Sequence, residues 1–383
     1  MQSQRNYALD PLRGLTIALM IIVNNPGDWP QMFSILRHAE WHGFLGADIV
    51  FPLFLFVAGY AAALKITRDF SNGASGPHCA SALTLEEPEP PHFYRRLVRR
   101  AVVLFIIGVF LNAWPFGLLP GTDFSIEKIR VFGVLQRIAI CVLIGGIILR
   151  HLRTTRGIMV AICALALIYE ILMRLPLIST VEGNFGRSFE LTDNFARLVD
   201  LTLIPQSMLY KVQKITFDPE GLLTSTGAVM TFLFGALCYR MPLQRFTLVC
   251  ILMVLGGLWA IFEPVNKNLW TMPYVLLTAG FGCALLTFFE KIRFSEMRIA
   301  HFLSAPFADM GRNSLLIYTL SGIVGKALAF GKTTSGVSYK VVLYKGLQFL
   351  PLSGKLSSLA YSLIFLALLA VLARLLRRIP LSV

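Results

Sequence analysis

The chain is dominated by apolar runs near twenty residues long, each closed by arginines, lysines or a short polar turn. At 1.5 Å per residue, about 20 residues match the roughly 30 Å hydrocarbon core of a bilayer. In that solvent every backbone N–H and C=O must be satisfied internally, so only helices and closed barrels cross it. The runs are continuous rather than alternating, which excludes a barrel. Composition agrees: 56% of residues are hydrophobic and only 15% are charged, against about a quarter charged in soluble proteins. The expected fold is all-α: one polytopic integral membrane domain over residues 1–383. About ten spans are expected, near residues 8–24, 44–66, 97–114, 131–150, 156–173, 221–240, 244–263, 269–289, 311–331 and 356–376.

The net charge is +14, which in a soluble chain would point to nucleic acid. Here the cations cluster at the ends of apolar runs, the mark of topology, so the expected partner is the lipid bilayer and not nucleic acid. Arg95, Arg96, Arg99, Arg100, Arg150, Arg153, Arg156, Arg240, Arg245, Lys291, Arg293, Arg298 and Arg312 fall on one side if the N-terminus is inside. Both termini are therefore expected in the cytoplasm, although Lys332, Lys340, Lys345 and Lys355 in the last outer loop run against the bias. The start, MQSQRNYALDPLRG, has no secretory signal pattern. No CxxC or Cys/His metal spacing occurs, and the cysteines read as small apolar residues.

Two long polar segments interrupt the spans. Residues 70–94 are rich in Pro, Ser, Gly and Glu and are expected to form a mobile cytoplasmic loop. Residues 174–220 contain FARLVDLTLIPQSMLY, expected as a short amphipathic helix or two over the outer mouth. This segment ends in Asp218-Pro219-Glu220, where Asp218 is expected to cap the next helix and Glu220 to favour its positive end.

Chemistry concentrates at one membrane face. Asn24 ends the first span, His38 and His42 lie in the loop LRHAEWHGFLGADIVF, and Asp48 lies about 8 Å below Gly43 at 1.5 Å per residue. A charge within hydrocarbon costs roughly 3 kcal/mol or more and usually has a function. A carboxylate beside an imidazole fixes its tautomer and raises its basicity, which suits a general base. An asparagine amide can donate to an oxyanion. His38, Glu40 and His42 have an i, i+4 histidine spacing but no obvious third ligand, so no metal is expected. Arg137 lies about two turns inside the fourth span and needs a partner: Asp48, a phosphate or a carbonyl. The short turn PVNKNLW carries Asn266, Lys267 and Asn268, more polar chemistry than a turn needs, so substrate contact and a plain helix turn both stay open. Asn313 and Ser314 near the inner face are placed for a ligand or a neighbouring helix.

LDPLRGLTIALMIIVNN, LRHAEWHGFLGADIVFPLFLFVAG, IRVFGVLQRIAI, FDPEGLLTS, PVNKNLWT and MGRNSLLIY occur in that order. Together they resemble the catalytic membrane domain of the heparan-alpha-glucosaminide N-acetyltransferase family, over nearly the whole chain. The resemblance implies transfer of an acetyl group from cytoplasmic acetyl-CoA to a glucosamine amine across the membrane. The family's histidine in HA-x-W falls on His38, and Asn24 and Asp48 match the VN and AD-x-VFP positions. His42 stands where the lysosomal enzyme has asparagine, and Ser321 where the family has a membrane histidine. The lysosomal enzyme has a further luminal domain and span before this region; without them, the chain is expected in a bacterial inner membrane.

On this reading His38 is the base or an acetyl relay, Asp48 orients it and Asn24 serves the oxyanion. Arg13, Arg137, Asn313 and Ser314 are expected at the acetyl-CoA donor. Trp41, Glu220, Asn266, Lys267, Asn268 and Trp270 are expected at the amino-sugar acceptor. The rival from another class is an amino-sugar transporter or permease. The sequence allows a homodimer without specifying one.

Overall fold

The computed structural model describes residues 9–73, 92–119, 122–175, 178–180, 183–186, 188–294 and 298–376. The expected cytoplasmic loop therefore lies largely outside the described residues. Every expected span coincides with a helix: α1 (Leu9–Asn24), α2 (Val50–Gly73), α3 (Phe93–Ala113), α4 (Val134–His151), α5 (Thr155–Met173), α7 (Thr224–Arg240), α8 (Arg245–Trp259), α9 (Met272–Phe294), α11 (Ser314–Phe330) and α13 (Gly354–Leu375). Three more helices join them: α6 (Phe195–Leu203), α10 (Arg298–Arg312) and α12 (Tyr339–Leu347). By length and composition, five described helices can cross a membrane. A sixth span results if Ala305–Arg312 and Ser314–Phe330, bent by 85° to one another, count as one.

The bundle is knit by close backbone approach at glycine. A Cβ on Gly59 would overlap the carbonyl oxygen of Phe232, and one on Gly235 that of Phe56, so α2 and α7 meet at the main chain. Gly14 and Gly311 let α1 approach α10 in the same way. Small residues at helix contacts permit this packing where lipid offers no hydrophobic drive between helices. The main core lies between α2, α4, α7 and α9, with Leu53, Phe56, Phe232, Leu233 and Val275 buried. A second cluster joins α1, α10, α11 and α13 through Ile17, Ile21, Met310, Ile317 and Phe365.

The long segment before α7 forms the expected short helix, α6, capped by Asn194 accepting from the Arg197 N–H at 2.8 Å. It also holds two antiparallel hairpins that were not expected, β1 (Ile178–Thr180) with β2 (Gly183–Phe185), and β3 (Lys211–Val212) with β4 (Ile215–Thr216). Asp218 does not cap α7, contrary to expectation. Its Oδ1 accepts from the Glu220 N–H two residues on at 3.0 Å, closing a turn around Pro219. Asp200 of α6 instead accepts the Leu222 N–H at 3.0 Å, taking over a donor that precedes the helix.

Replacing Gly59 by valine should force α2 away from α7 and destabilise the protein by about 1–3 kcal/mol, the usual cost of overpacking. Thermal unfolding of the detergent-solubilised variant checks this, and an unchanged midpoint would refute close backbone contact.

Candidate active site

Asp48 sits in a 3-10 turn, Gly46–Ile49, that leads into α2. Its side chain is fully buried. Oδ1 lies 2.8 Å from His38 Nδ1. Oδ2 accepts from the backbone N–H of Leu45 at 2.9 Å and of Ala39 at 3.2 Å. Tyr274 of α9 donates to the Asp48 carbonyl at 2.7 Å. One buried carboxylate thus fixes the histidine loop to the head of α2. The His38 side chain is 41% exposed, and its Nδ1 is the ring nitrogen turned to Asp48. That is the geometry of an oriented base.

The α8–α9 turn completes this cluster. Lys267 Nζ stands 3.0 Å from His38 Nδ1 and 3.7 Å from Asp48 Oδ1. Asn266 is buried; its Oδ1 accepts the Leu269 N–H at 2.9 Å and its Nδ2 lies 3.2 Å from His42 Nδ1. Asn266 therefore builds the turn and joins it to the histidine loop. His42 also reaches Glu190 at 3.2 Å. Trp270 was expected at the acceptor and is buried in the core. Its Nε1 donates to Thr231 at 3.0 Å, and Arg137 lies over its ring at 4.9 Å. Its φ of 56° is rare for a bulky residue, so these contacts hold the turn in one shape. Trp41 is also a packing residue, donating to the Phe189 carbonyl at 2.9 Å and meeting Phe217 edge-on at 5.1 Å. Asn268 is half-buried in the same turn.

Glu220 lies deeper. Arg130 bonds both Glu220 and Asp218, reaching Asp218 Oδ1 at 2.6 Å and Oδ2 at 2.9 Å. Burial would raise the Glu220 pKa, but Arg130, Arg137 and Lys267 hold it below the ordinary carboxyl value. Glu220 is within electrostatic reach of Lys267 and of Tyr318 on α11. Asp200 behind it is pushed up to about 7, chiefly by burial. Arg137, weighed against three partners, pairs with carbonyl and hydroxyl oxygens rather than with Asp48. It donates to Gly221 O at 3.1 Å and to Thr224 Oγ1, beneath the turn that presents Glu220.

Three of the four residues expected at the donor come together; Arg137 is not among the residues that line their cavity. Arg13, Asn313 and Ser314 line a cavity of about 190 Å³ with Arg100 and Arg312. Phe54, Leu135, Ile138 and Leu315 from its wall also line a narrow apolar space of about 10 Å³ that ends at Tyr318. Tyr318 then lines a third cavity, about 290 Å³, with Asn24, Asn25, Asn112, Ser321 and Lys326. Arg13 and Asn24 are eleven positions apart on α1, so the basic and amide-lined cavities lie about 16 Å apart at 1.5 Å per residue. Asn24 faces this cavity, and no bond from it to His38 occurs among the described residues. Arg100, Arg130, Asp200 and Arg312 were not singled out from the sequence. Arg100 and Arg312 were read only as topology, and nothing in the spacing of Arg130 marks it as the partner of a carboxylate 90 residues on.

A family model described as "Heparan-alpha-glucosaminide N-acetyltransferase, catalytic" matches residues 5–206. A human protein named heparan-alpha-glucosaminide N-acetyltransferase is 24% identical over 372 residues, covering 82% of this chain and 52% of that protein. The mouse protein of the same name is 25% identical over 374 residues, with 82% and 53% covered. The chain spans about half the length of these relatives.

Two outcomes follow from the placement. Asp48→Ala should cost about 1–3 kcal/mol of stability, because the Ala39 and Leu45 N–H groups lose their acceptor; an unchanged unfolding midpoint would contradict the network. Arg137→Ala should lower the midpoint while leaving the stabilisation by added CoA intact; loss of the CoA effect would instead place Arg137 at the donor.

Proposed function

The chain belongs to the heparan-alpha-glucosaminide N-acetyltransferase family, and we propose that it transfers the acetyl group of cytoplasmic acetyl-CoA to the amine of a glucosamine-type sugar at the opposite membrane face. The observation that carries this reading is the pairing of an oriented His38 with a separate basic cavity toward the other end of the same helices. CoA is polyanionic and cannot cross hydrocarbon. A protein serving an acceptor on the far side must bind CoA from within and extend only its slender pantetheine arm.

The basic cavity fits the anionic end. Arg13, Arg100 and Arg312 supply charge, and Asn313 and Ser314 supply neutral hydrogen-bonding groups. The lining of the neck is apolar and suits the arm in character, and the arm would have to widen it. At about 10 Å³, it has room for roughly one water. Beyond it, the thioester would lie by Asn24 and Tyr318, on the side of Glu220.

In the proposed reaction His38 Nε2 takes a proton from the sugar ammonium, and Asp48 accepts the Nδ1–H and stabilises the imidazolium. The freed amine attacks the thioester carbonyl. The tetrahedral oxyanion accepts a hydrogen bond from Asn24, then collapses, breaking the C–S bond and releasing the CoA thiolate, which takes up a proton. Glu220 gives the incoming ammonium an anionic neighbour. An acetyl-His38 relay remains an alternative route to the same products; trapping acetylated His38 in the absence of sugar would select it.

The test is purified protein with labelled acetyl-CoA and a panel of amino sugars. Wild type should form labelled N-acetyl sugar. His38→Ala should lose about 10²–10⁴-fold in turnover while staying folded, the range for a general base. Arg13→Glu with Arg100→Glu should raise the KM for acetyl-CoA more than that for sugar. Unchanged turnover in His38→Ala, or hexosamine uptake into liposomes without acetyl-CoA, would overturn the reading.

A further inference from the structure

A further cavity adjoins the one that Arg13 and Arg312 line. It measures about 60 Å³ and lies between α2, α3 and α4. Arg100, Ala58 and Val142 line both, so the two share a wall. The Arg13 cavity meets the apolar neck through Phe54, Leu135, Ile138 and Leu315, whereas the further cavity shares no lining residue with the neck. The order along the helices is therefore neck, Arg13 cavity, further cavity. On α2 it runs from Phe54 to Lys65, eleven positions on, about 16 Å at 1.5 Å per residue.

Lys65 and Asp69 lie one turn apart on α2, and Arg96 and Arg100 one turn apart on α3. All four line the further cavity, so three cations meet one carboxylate there. Asp69 pairs with Arg96 at 3.4 Å. Lys65 and Arg100 have no hydrogen bond or ion pair among the described residues. Lys65 nevertheless lies within electrostatic reach of Arg96, Arg99 and Arg100. Cations that only mark topology need not converge, because repulsion favours their pointing apart into water. Arg95 and Arg99, on the same end of α3, are not among the lining residues. The surplus of two positive charges matches a phosphate monoester, which is close to a dianion at neutral pH.

CoA carries its charge in two places. A diphosphate joins pantetheine to the 5′ carbon of the ribose, and a separate phosphate monoester sits on the 3′ carbon. From the thioester outward the order is arm, diphosphate, 3′-phosphate, which is the order of neck, Arg13 cavity and further cavity. We propose that the further cavity holds the 3′-phosphate of the CoA donor through Lys65, Arg96 and Arg100. Arg100, in the shared wall, serves both anionic groups. Asp69 competes for Arg96 and repels the phosphate. The protein is thereby selective for CoA over dephospho-CoA. The identity of the donor rests on the proposed function, so the test separates binding from turnover.

Purified protein in phosphatidylcholine nanodiscs is titrated calorimetrically with CoA and with dephospho-CoA, without sugar. Wild type should bind CoA about 10- to 100-fold more tightly, the range for hydrogen bonds to a charged group. Lys65→Gln combined with Arg96→Gln should bring CoA down to the dephospho-CoA affinity and leave dephospho-CoA unchanged. Asp69→Asn should act in the opposite direction and widen the difference, which a folding defect would not do. Equal affinities in wild type overturn the proposal. So does an equal loss for both nucleotides in the double variant, which marks a diffuse field rather than a site. If the affinities are equal, and phosphatidate added to the nanodiscs raises the unfolding midpoint of wild type but not of the double variant, the anion held there belongs to a lipid and the proposal is wrong. If wild type binds CoA selectively but acetylates no amino sugar, the proposed function falls and the phosphate site stands. If neither nucleotide binds, both fall.

Discussion

A buried carboxylate in a membrane protein is costly unless every lone pair has a partner. Asp48 meets that condition, and doing so organises one end of the molecule. Its two oxygens collect an imidazole and two backbone N–H groups, and its carbonyl takes the Tyr274 hydroxyl. The loop bearing His38, the head of α2 and the first turn of α9 are thereby fixed relative to one another. The α8–α9 turn closes the cluster with Lys267, which touches the same nitrogen and faces the same carboxylate. On the proposed reaction, a base whose orientation is set by a desolvated anion needs no rearrangement when substrate arrives.

The second organising feature is the separation of charge along the helices. Cations gather around Arg13, Arg100 and Arg312, and the carboxylates Asp48, Asp218 and Glu220 gather around His38 and Arg130. Between them the lining is Ile17, Met20, Leu135 and Ile138. An elongated donor with an anionic head and an apolar-tolerant arm matches that order of surfaces better than a compact polar solute does. The glycine contacts of α2 with α7 and of α1 with α10 bring the surrounding helices to main-chain distance and leave this lining to larger side chains.

Much of the fold could be read from the sequence because hydrocarbon imposes one rule. Continuous apolar runs must be helices, and all ten expected spans are helical. The helices that were missed, α10 and α12, carry polar faces, and α10 is stitched to α1 by glycine contacts that hydropathy does not report. The β3–β4 hairpin turns through Gln213 and Lys214, both at positive φ, where the usual Asn-Gly signal is absent. At the site, His38 and Asp48 were legible because they are ten residues apart and both polar beside apolar runs. Trp270 was misread because an aromatic in a polar turn looks available; the structure shows its indole committed to Thr231 and Arg137. Arg130 escaped notice because its partners are 88 and 90 residues away, a distance over which local spacing says nothing.

The central claim is that His38 and the Arg312 cavity open to opposite sides of a membrane. Single cysteines placed at 38 and at 312, in a background without the native thiols, can be challenged in sealed oriented vesicles with a membrane-impermeant maleimide. Position 38 should label from one side only and position 312 from the other. Labelling of both from the same side would contradict the account.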